Sequence, residues 1–196
     1  MELLPVLKRR MGLILLLPLA AMVAAAVFSF IAAPVYEARA TLLLTRTGGQ
    51  NNGGGLDYNT LMMFRQLART YGELAESSPV IEKLAEQVNN ELSLDDLRKM
   101  IVVRKIKDLE LIQIGVRDRI PGRAVFLANK LVVLLMEEEV NLWQTNNLRV
   151  VSPAFQPSEP VWPNILRNVL LAGFAGLATS VLGVIAWQRF AEEGMI

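Results

Sequence analysis

Residues 11–33 read MGLILLLPLAAMVAAAVFSFIAA, 23 positions without a charge. At a rise of ~1.5 Å per residue such a stretch reaches ~35 Å as a helix, enough to cross a hydrocarbon core of ~30 Å. It is read as a membrane span, and the rest of the chain is organised by it. Residues 169–187 are again uncharged and bracketed by Arg167 and Arg189, giving ~28 Å, so residues 165–187 are read as a second span with its lead-in. Lys8, Arg9 and Arg10 precede the first span. The positive-inside bias makes residues 1–10 a cytoplasmic tail, and two spans return residues 188–196 to the cytoplasm. Residues 34–164 are left outside as one extracytoplasmic domain. A basic segment before an apolar run is also the pattern of a cleaved secretory signal, but there the apolar run is only ~7–15 residues.

Composition narrows the chemistry. The 196 residues hold 20 Lys+Arg against 19 Asp+Glu, with no His and no Cys. Without thiol or imidazole the chain has no cysteine nucleophile, thiolate zinc site, Ser-His-Asp triad or neutral-pH imidazole base. The even charge balance argues against a nucleic-acid partner, and the mean hydropathy of +0.35 agrees with a membrane protein. No enzyme activity, metal or cofactor is expected. A glycosidase needs two carboxylates ~5–10 Å apart, and no pair stands out. Glu137, Glu138 and Glu139 are consecutive, diverge around a helix, and are read as a solvated face. Arg98, Lys99, Arg104, Lys105 and Lys107 are interleaved with Asp95, Asp96, Asp108 and Glu110, and are read as solvated strand edges rather than a binding patch.

Between the spans, Tyr36, Ala38, Ala40, Leu42 and Leu44 alternate with Glu37, Arg39, Thr41, Leu43 and Thr45, the period of a half-buried strand. Residues 48–55 (GGQNNGGG) bury nothing and are expected to form a mobile loop. Helical spacing over 60–76 is followed by Ser78-Pro79, a cap and first-turn proline opening a helix over 79–89. Ser93 and Asp96 suit a capping arrangement for a short turn of helix before Met100. Residues 101–106 and 109–116 are β-rich runs around Lys107-Asp108, with hairpin spacing. Pro121 opens a helix to about residue 146. One of its faces carries Ala124, Leu127, Ala128, Leu131, Leu134 and Leu135, and a second carries Val125, Val132, Val133 and Met136. Two apolar faces need two partners, and a neighbouring subunit is the simplest second one. Residues 149–155 return as a strand.

The expected fold is therefore α+β, a mixed sheet packed with helices in the order β-α-α-β-β-α-β, flanked by two transmembrane helices. In the second span Ala172, Gly176, Ser180 and Gly183 approach small-xxx-small spacing, and the first offers Ala20, Ala21, Ala24 and Ala25, which allows close helix packing. Pro18 is expected to bend the first span. Pro157, Pro160 and Pro163 favour extended geometry and make a stiff lead-in to the second.

These residues also carry a resemblance. Pro34-Val35-Tyr36-Glu37-Ala38 is similar to the P-x-Y-x-A entry of the chain-length determinant (Wzz-like) family of polysaccharide co-polymerases. The match continues through Tyr71-Gly72-Glu73-Leu74-Ala75-Glu76-Ser77, Leu92-Ser93, Leu111-Ile112-Gln113-Ile114 and the stretch from Ala124 to Leu131. It ends at Ala154-x-x-Pro157-x-x-Pro160-x-x-Pro163. The chain resembles most closely the family's short capsule-assembly adaptors. The resemblance implies a ring-forming homo-oligomer in the bacterial cytoplasmic (inner) membrane, in contact with lipid. It also implies regulation of the chain length or export of a surface polysaccharide (O-antigen, capsule or exopolysaccharide) made by a separate polymerase. Other readings are an adaptor that activates a separate cytoplasmic tyrosine kinase, or a two-span accessory or sensor subunit of a transporter. The kinase-fused relatives carry a Walker site, which this sequence lacks, and adaptors use a C-terminal tail, which here is brief and without tyrosine.

Overall fold

The computed structural model describes residues 11–45, 58–89, 91–106 and 110–193. The glycine-rich segment 48–55, the Lys107-Asp108 turn and the N-terminal tail lie outside the described residues. The chain divides into two units, Val35–Pro160 and the pair of terminal segments Met1–Pro34 and Val161–Ile196.

The central unit is built on β1 (Tyr36–Leu44), whose alternation places Ala38, Ala40, Leu42 and Leu44 in the core. Three helices follow, α2 (Tyr58–Ala75), α3 (Ser78–Glu86) and α4 (Leu94–Met100), then β2 (Ile101–Lys105), β3 (Leu111–Asp118), α5 (Pro121–Trp143) and β4 (Leu148–Ser152). The strand order is β2-β3-β1-β4. Every neighbouring pair is antiparallel, where a mixed sheet was expected. The reason lies in the crossovers: a helical connection joins strands that run the same way, as β1 to β2 and β3 to β4 do. In each case another strand is inserted between the two. Register aligns the buried rows, with Ala38 opposite Val116, Ala40 opposite Ile114 and Leu42 opposite Ile112. Tyr71, Ile81, Leu84, Leu127, Leu131 and Leu135 from the helices complete this core, each fully buried aliphatic contributing ~1.5–3 kcal/mol.

Local signals were legible with small shifts. The expected helix start at Ser78 moves by one residue: Ser77 is extended and its carbonyl accepts from the Ile81 amide at 3.0 Å, so Pro79 is the second helical residue. Ser93 caps α4 as expected, accepting from the Asp96 amide at 3.1 Å while its hydroxyl donates to the Asp96 carboxylate at 2.7 Å. Helix α5 ends three residues early, at Trp143, because Gln144 turns left-handed at φ 53°.

The terminal unit pairs α1 (Met11–Ile31) with α6 (Ile165–Glu193). Both are long and apolar enough to cross a membrane. They run antiparallel, since Ser180 meets Ile14 near one end and Asn168 meets Ser29 near the other.

Candidate functional site

No catalytic constellation was expected, so the candidate sites are surfaces, and α5 carries the first. The residues expected to face outward divide. Val133 is 49% exposed, Val125 and Met136 are half-buried, but Val132 is only 3% exposed and packs in its own core. Val132 follows Ala128 by four positions and precedes Leu135 by three, which places it inside the buried stripe. The outward stripe is instead Phe126, Val133 and Val140, spaced by seven and all exposed. Beside it Val133, Met136, Glu137, Val140, Asn141 and Asn146 line a recess of about 440 Å³. Lys130 lies over the Phe126 ring with its ammonium 5.9 Å from the centroid.

The three consecutive glutamates are not one solvated face. Glu137 is exposed, but Glu138 is buried beside Lys83, whose ammonium donates to it at 2.8 Å, and Glu139 is 1% exposed. The Glu138 carboxylate raises the Lys83 pKa. Glu139 accepts from the Tyr71 phenol at 2.8 Å and from the backbone amides of Asn147 at 2.7 Å and Leu148 at 3.3 Å. It thereby satisfies the turn that carries α5 into β4. Burial, with the hydrogen bond and charge of Glu139, pushes the Tyr71 phenol up. Trp143 closes the arrangement with an edge-to-face contact on Tyr71 at 5.8 Å.

The basic residues are likewise not all free strand edges. On the sheet face opposite the core, Glu37 is buried and gathers three arginines from three strands. Arg104 grips both oxygens, at 2.9 and 3.1 Å, while Arg39 donates at 2.6 Å and Arg117 at 2.8 Å. Gly115 makes the room: a Cβ there would lie 3.2 Å from the Ala38 carbonyl oxygen and 3.5 Å from a Glu37 oxygen. Burial pushes the Glu37 pKa up, but the hydrogen bonds from Arg117 and Arg39 and the charges of Arg39 and Arg104 outweigh it, and the net shift is downward. Sequence reasoning missed this cluster. Its signal was the alternation that puts Glu37 and Arg39 on one face of β1, once hairpin register adds Arg104 and Arg117.

The lead-in motif residues take structural places. Tyr36 opens β1 half-buried and Ala38 is in the core. Pro34 and Pro160 are exposed, Pro157 and Pro163 half-buried. Ahead of the prolines, Ala154 is pinned by Asn129, which donates to its carbonyl at 3.1 Å and accepts from its amide at 2.9 Å.

In the terminal unit Gly176 and Ser180 lie buried in the helix seam, and Ala172 is half-buried. A Cβ at Gly176 would lie 2.7 Å from the Pro18 Cα. Gly173, not singled out in the sequence, faces Met22, whereas Gly183 meets nothing within 4 Å. The seam follows 173, 176, 180 and 184, the last being buried Val184. Pro18 has no N–H for the Ile14 carbonyl, and the Ser180 hydroxyl, bonded to Leu177 O at 2.8 Å, also approaches that orphan acceptor at 3.4 Å.

Comparison with known proteins shows what the chain is similar to. The family model described as chain length determinant protein, Wzz, matches residues 1–88. A probable capsular polysaccharide biosynthesis protein, YwqC of Bacillus subtilis (strain 168), is 26% identical over 92% of this chain and 73% of its own length. The capsular polysaccharide biosynthesis protein CpsC of Streptococcus pneumoniae is 25% identical over 91% of this chain and 77% of its own. CapA of Staphylococcus aureus is 24% identical over 87% and 76%. Among solved structures, a full-length bacterial polysaccharide co-polymerase shares the fold at a TM-score of 0.56 and 12% identity, over 97% of this chain and 98% of that one. The resemblance read from the sequence is thereby borne out: the chain is similar to the Wzz chain length determinant family in its first 88 residues and to capsular polysaccharide biosynthesis proteins along most of its length.

Proposed function

We propose that this protein is a non-enzymatic, oligomeric membrane scaffold that regulates the chain length or export of a surface polysaccharide made by a separate polymerase. The observation that carries the reading is the exposed Phe126, Val133 and Val140 stripe on a helix whose other face already fills the core. A stripe at coiled-coil spacing on a folded domain is a surface for another protein. A head-to-tail contact through it closes into a ring when the rotation permits. The capsular relatives and the shared co-polymerase fold support polysaccharide assembly as the process.

In this reading α1 and α6 cross the cytoplasmic membrane, the central unit lies outside, and both termini are cytoplasmic. Lys8, Arg9 and Arg10 before the first span support that orientation. The chain has no Cys, so single cysteines at Glu82 and Glu193 report sidedness cleanly. In intact cells a membrane-impermeant thiol reagent should label the first and spare the second; the reverse pattern contradicts the orientation. The function is tested by deleting the gene and sizing the surface polysaccharide. Loss or broadening of its preferred length is expected, and an unchanged amount and length distribution contradicts the proposal.

A further inference from the structure

The central unit has a second concave surface, unrelated to the α5 stripe, at the end where the chain enters from α1. Val35, Leu92, Asp96, Lys99, Met100, Arg117, Asp118, Arg119 and Arg123 surround a recess of about 570 Å³. Its charges are unevenly committed. Asp118 accepts from the Ile120 amide at 2.8 Å and is forked by Arg123. Asp96 accepts from the Ser93 hydroxyl, and Arg117 is bound to Glu37. Lys99 and Arg119 are exposed and form no hydrogen bond or ion pair among the described residues. Asp118 is thus neutralised from within, Asp96 keeps its charge and among the described residues is bonded only to Ser93, and the two cations Lys99 and Arg119 outnumber it, while Val35, Leu92 and Met100 give the recess apolar wall.

Covalent geometry places this recess. Val35 is four residues beyond Ile31, the last residue of α1, so the chain between them spans at most ~14 Å. The polar zone outside a hydrocarbon core is ~5–8 Å deep on each side. If α1 spans the bilayer, this tether keeps Val35, one wall of the recess, within ~14 Å of the end of the span. A guanidinium and an ammonium above apolar wall suit a phosphate that is attached to something greasy.

We infer that this recess binds the phosphate headgroup of an anionic membrane lipid, with Arg119 and Lys99 as its ligands. The inference rests on α1 being a membrane span and is independent of any role in polysaccharide assembly. The full chain in detergent micelles, titrated with phosphatidylglycerol or phosphatidylcholine and followed by native mass spectrometry, tests it. Phosphatidylglycerol should be retained in preference to phosphatidylcholine. The Lys99→Ala/Arg119→Ala variant should lose at least about five-fold in phosphatidylglycerol affinity, with an unchanged thermal melt because both side chains are exposed. An Arg69→Ala/Arg149→Ala variant, which removes the same charge elsewhere on the unit, should stay within about two-fold of wild type. Equal loss in both variants, no loss in the first, or equal retention of the two lipids would overturn it. So would displacement of the lipid by millimolar inorganic phosphate, which would mark a site for the free anion.

Discussion

Asn129 on α5 holds both the carbonyl and the amide of Ala154, at 3.1 and 2.9 Å. Two stretches that carry the family resemblance, one in α5 and one before the prolines, are thus a single contact. The amide fork ties the start of the Pro157-Pro160-Pro163 lead-in to a helix anchored in the core. Asn129→Ala leaves both Ala154 groups without that partner and is expected to cost ~1–3 kcal/mol in denaturant unfolding. Hydrogen exchange at the Ala154 amide should rise in the variant, and unchanged protection would show that the fork does not hold the segment.

Glu139 carries a heavier structural role than its neighbours. Glu139→Ala orphans the Tyr71 phenol and the amides of Asn147 and Leu148, and is expected to destabilise by ~3 kcal/mol or more. Tyr71→Phe should cost less, about 1 kcal/mol. In a double-mutant cycle of the two the costs should fall well short of additive, and full additivity would disprove the coupling.

The Glu37 cluster predicts an acid response. Its pKa is lowered in the folded protein, so the stability it contributes is fully present above the ordinary carboxylate range and is lost as pH falls through the lowered value. The three arginines are each about 40% exposed, so screening holds the contribution to about 1 kcal/mol. Glu37→Gln should lower the denaturant midpoint at neutral pH and flatten its fall on acidification. Identical acid profiles for the two proteins would remove Glu37 from the account.

The α1 and α6 seam has no space at Gly176. Gly176→Leu must push its backbone off Pro18 and is expected to cost ~1–3 kcal/mol of helix pairing. Gly183→Leu, where an added Cβ meets nothing within 4 Å, is the control. Disulfide cross-linking between cysteines at Ser29 and Asn168, whose side chains touch at 3.1 Å, reports the pairing. Equal yields in both variants would show that Gly176 is not a close-packing point.

Periodicity was the legible part of this chain. The uncharged runs announced both long helices, and the alternation after residue 35 announced the strand that became the centre of the sheet. What sequence could not show depended on contacts distant along the chain. Val132 and Val133 are equivalent as residue types, and only the width of the buried stripe decides that one faces the core and the other solvent. Glu139 looked solvated among three glutamates because its partners, Tyr71 and the turn at Asn147, are brought to it by tertiary folding. Antiparallel pairing throughout escaped notice because a strand order with an inserted neighbour leaves no local mark.

The central claim, that an assembled scaffold sets polysaccharide length through the outward face of α5, is tested most directly by sizing the surface polysaccharide of cells whose only copy carries Val133→Glu. Val133 is exposed, so the variant should fold and accumulate normally, lose self-association, and yield a shifted or broadened polymer distribution. A wild-type distribution from a variant that light scattering shows to be monomeric would contradict the account.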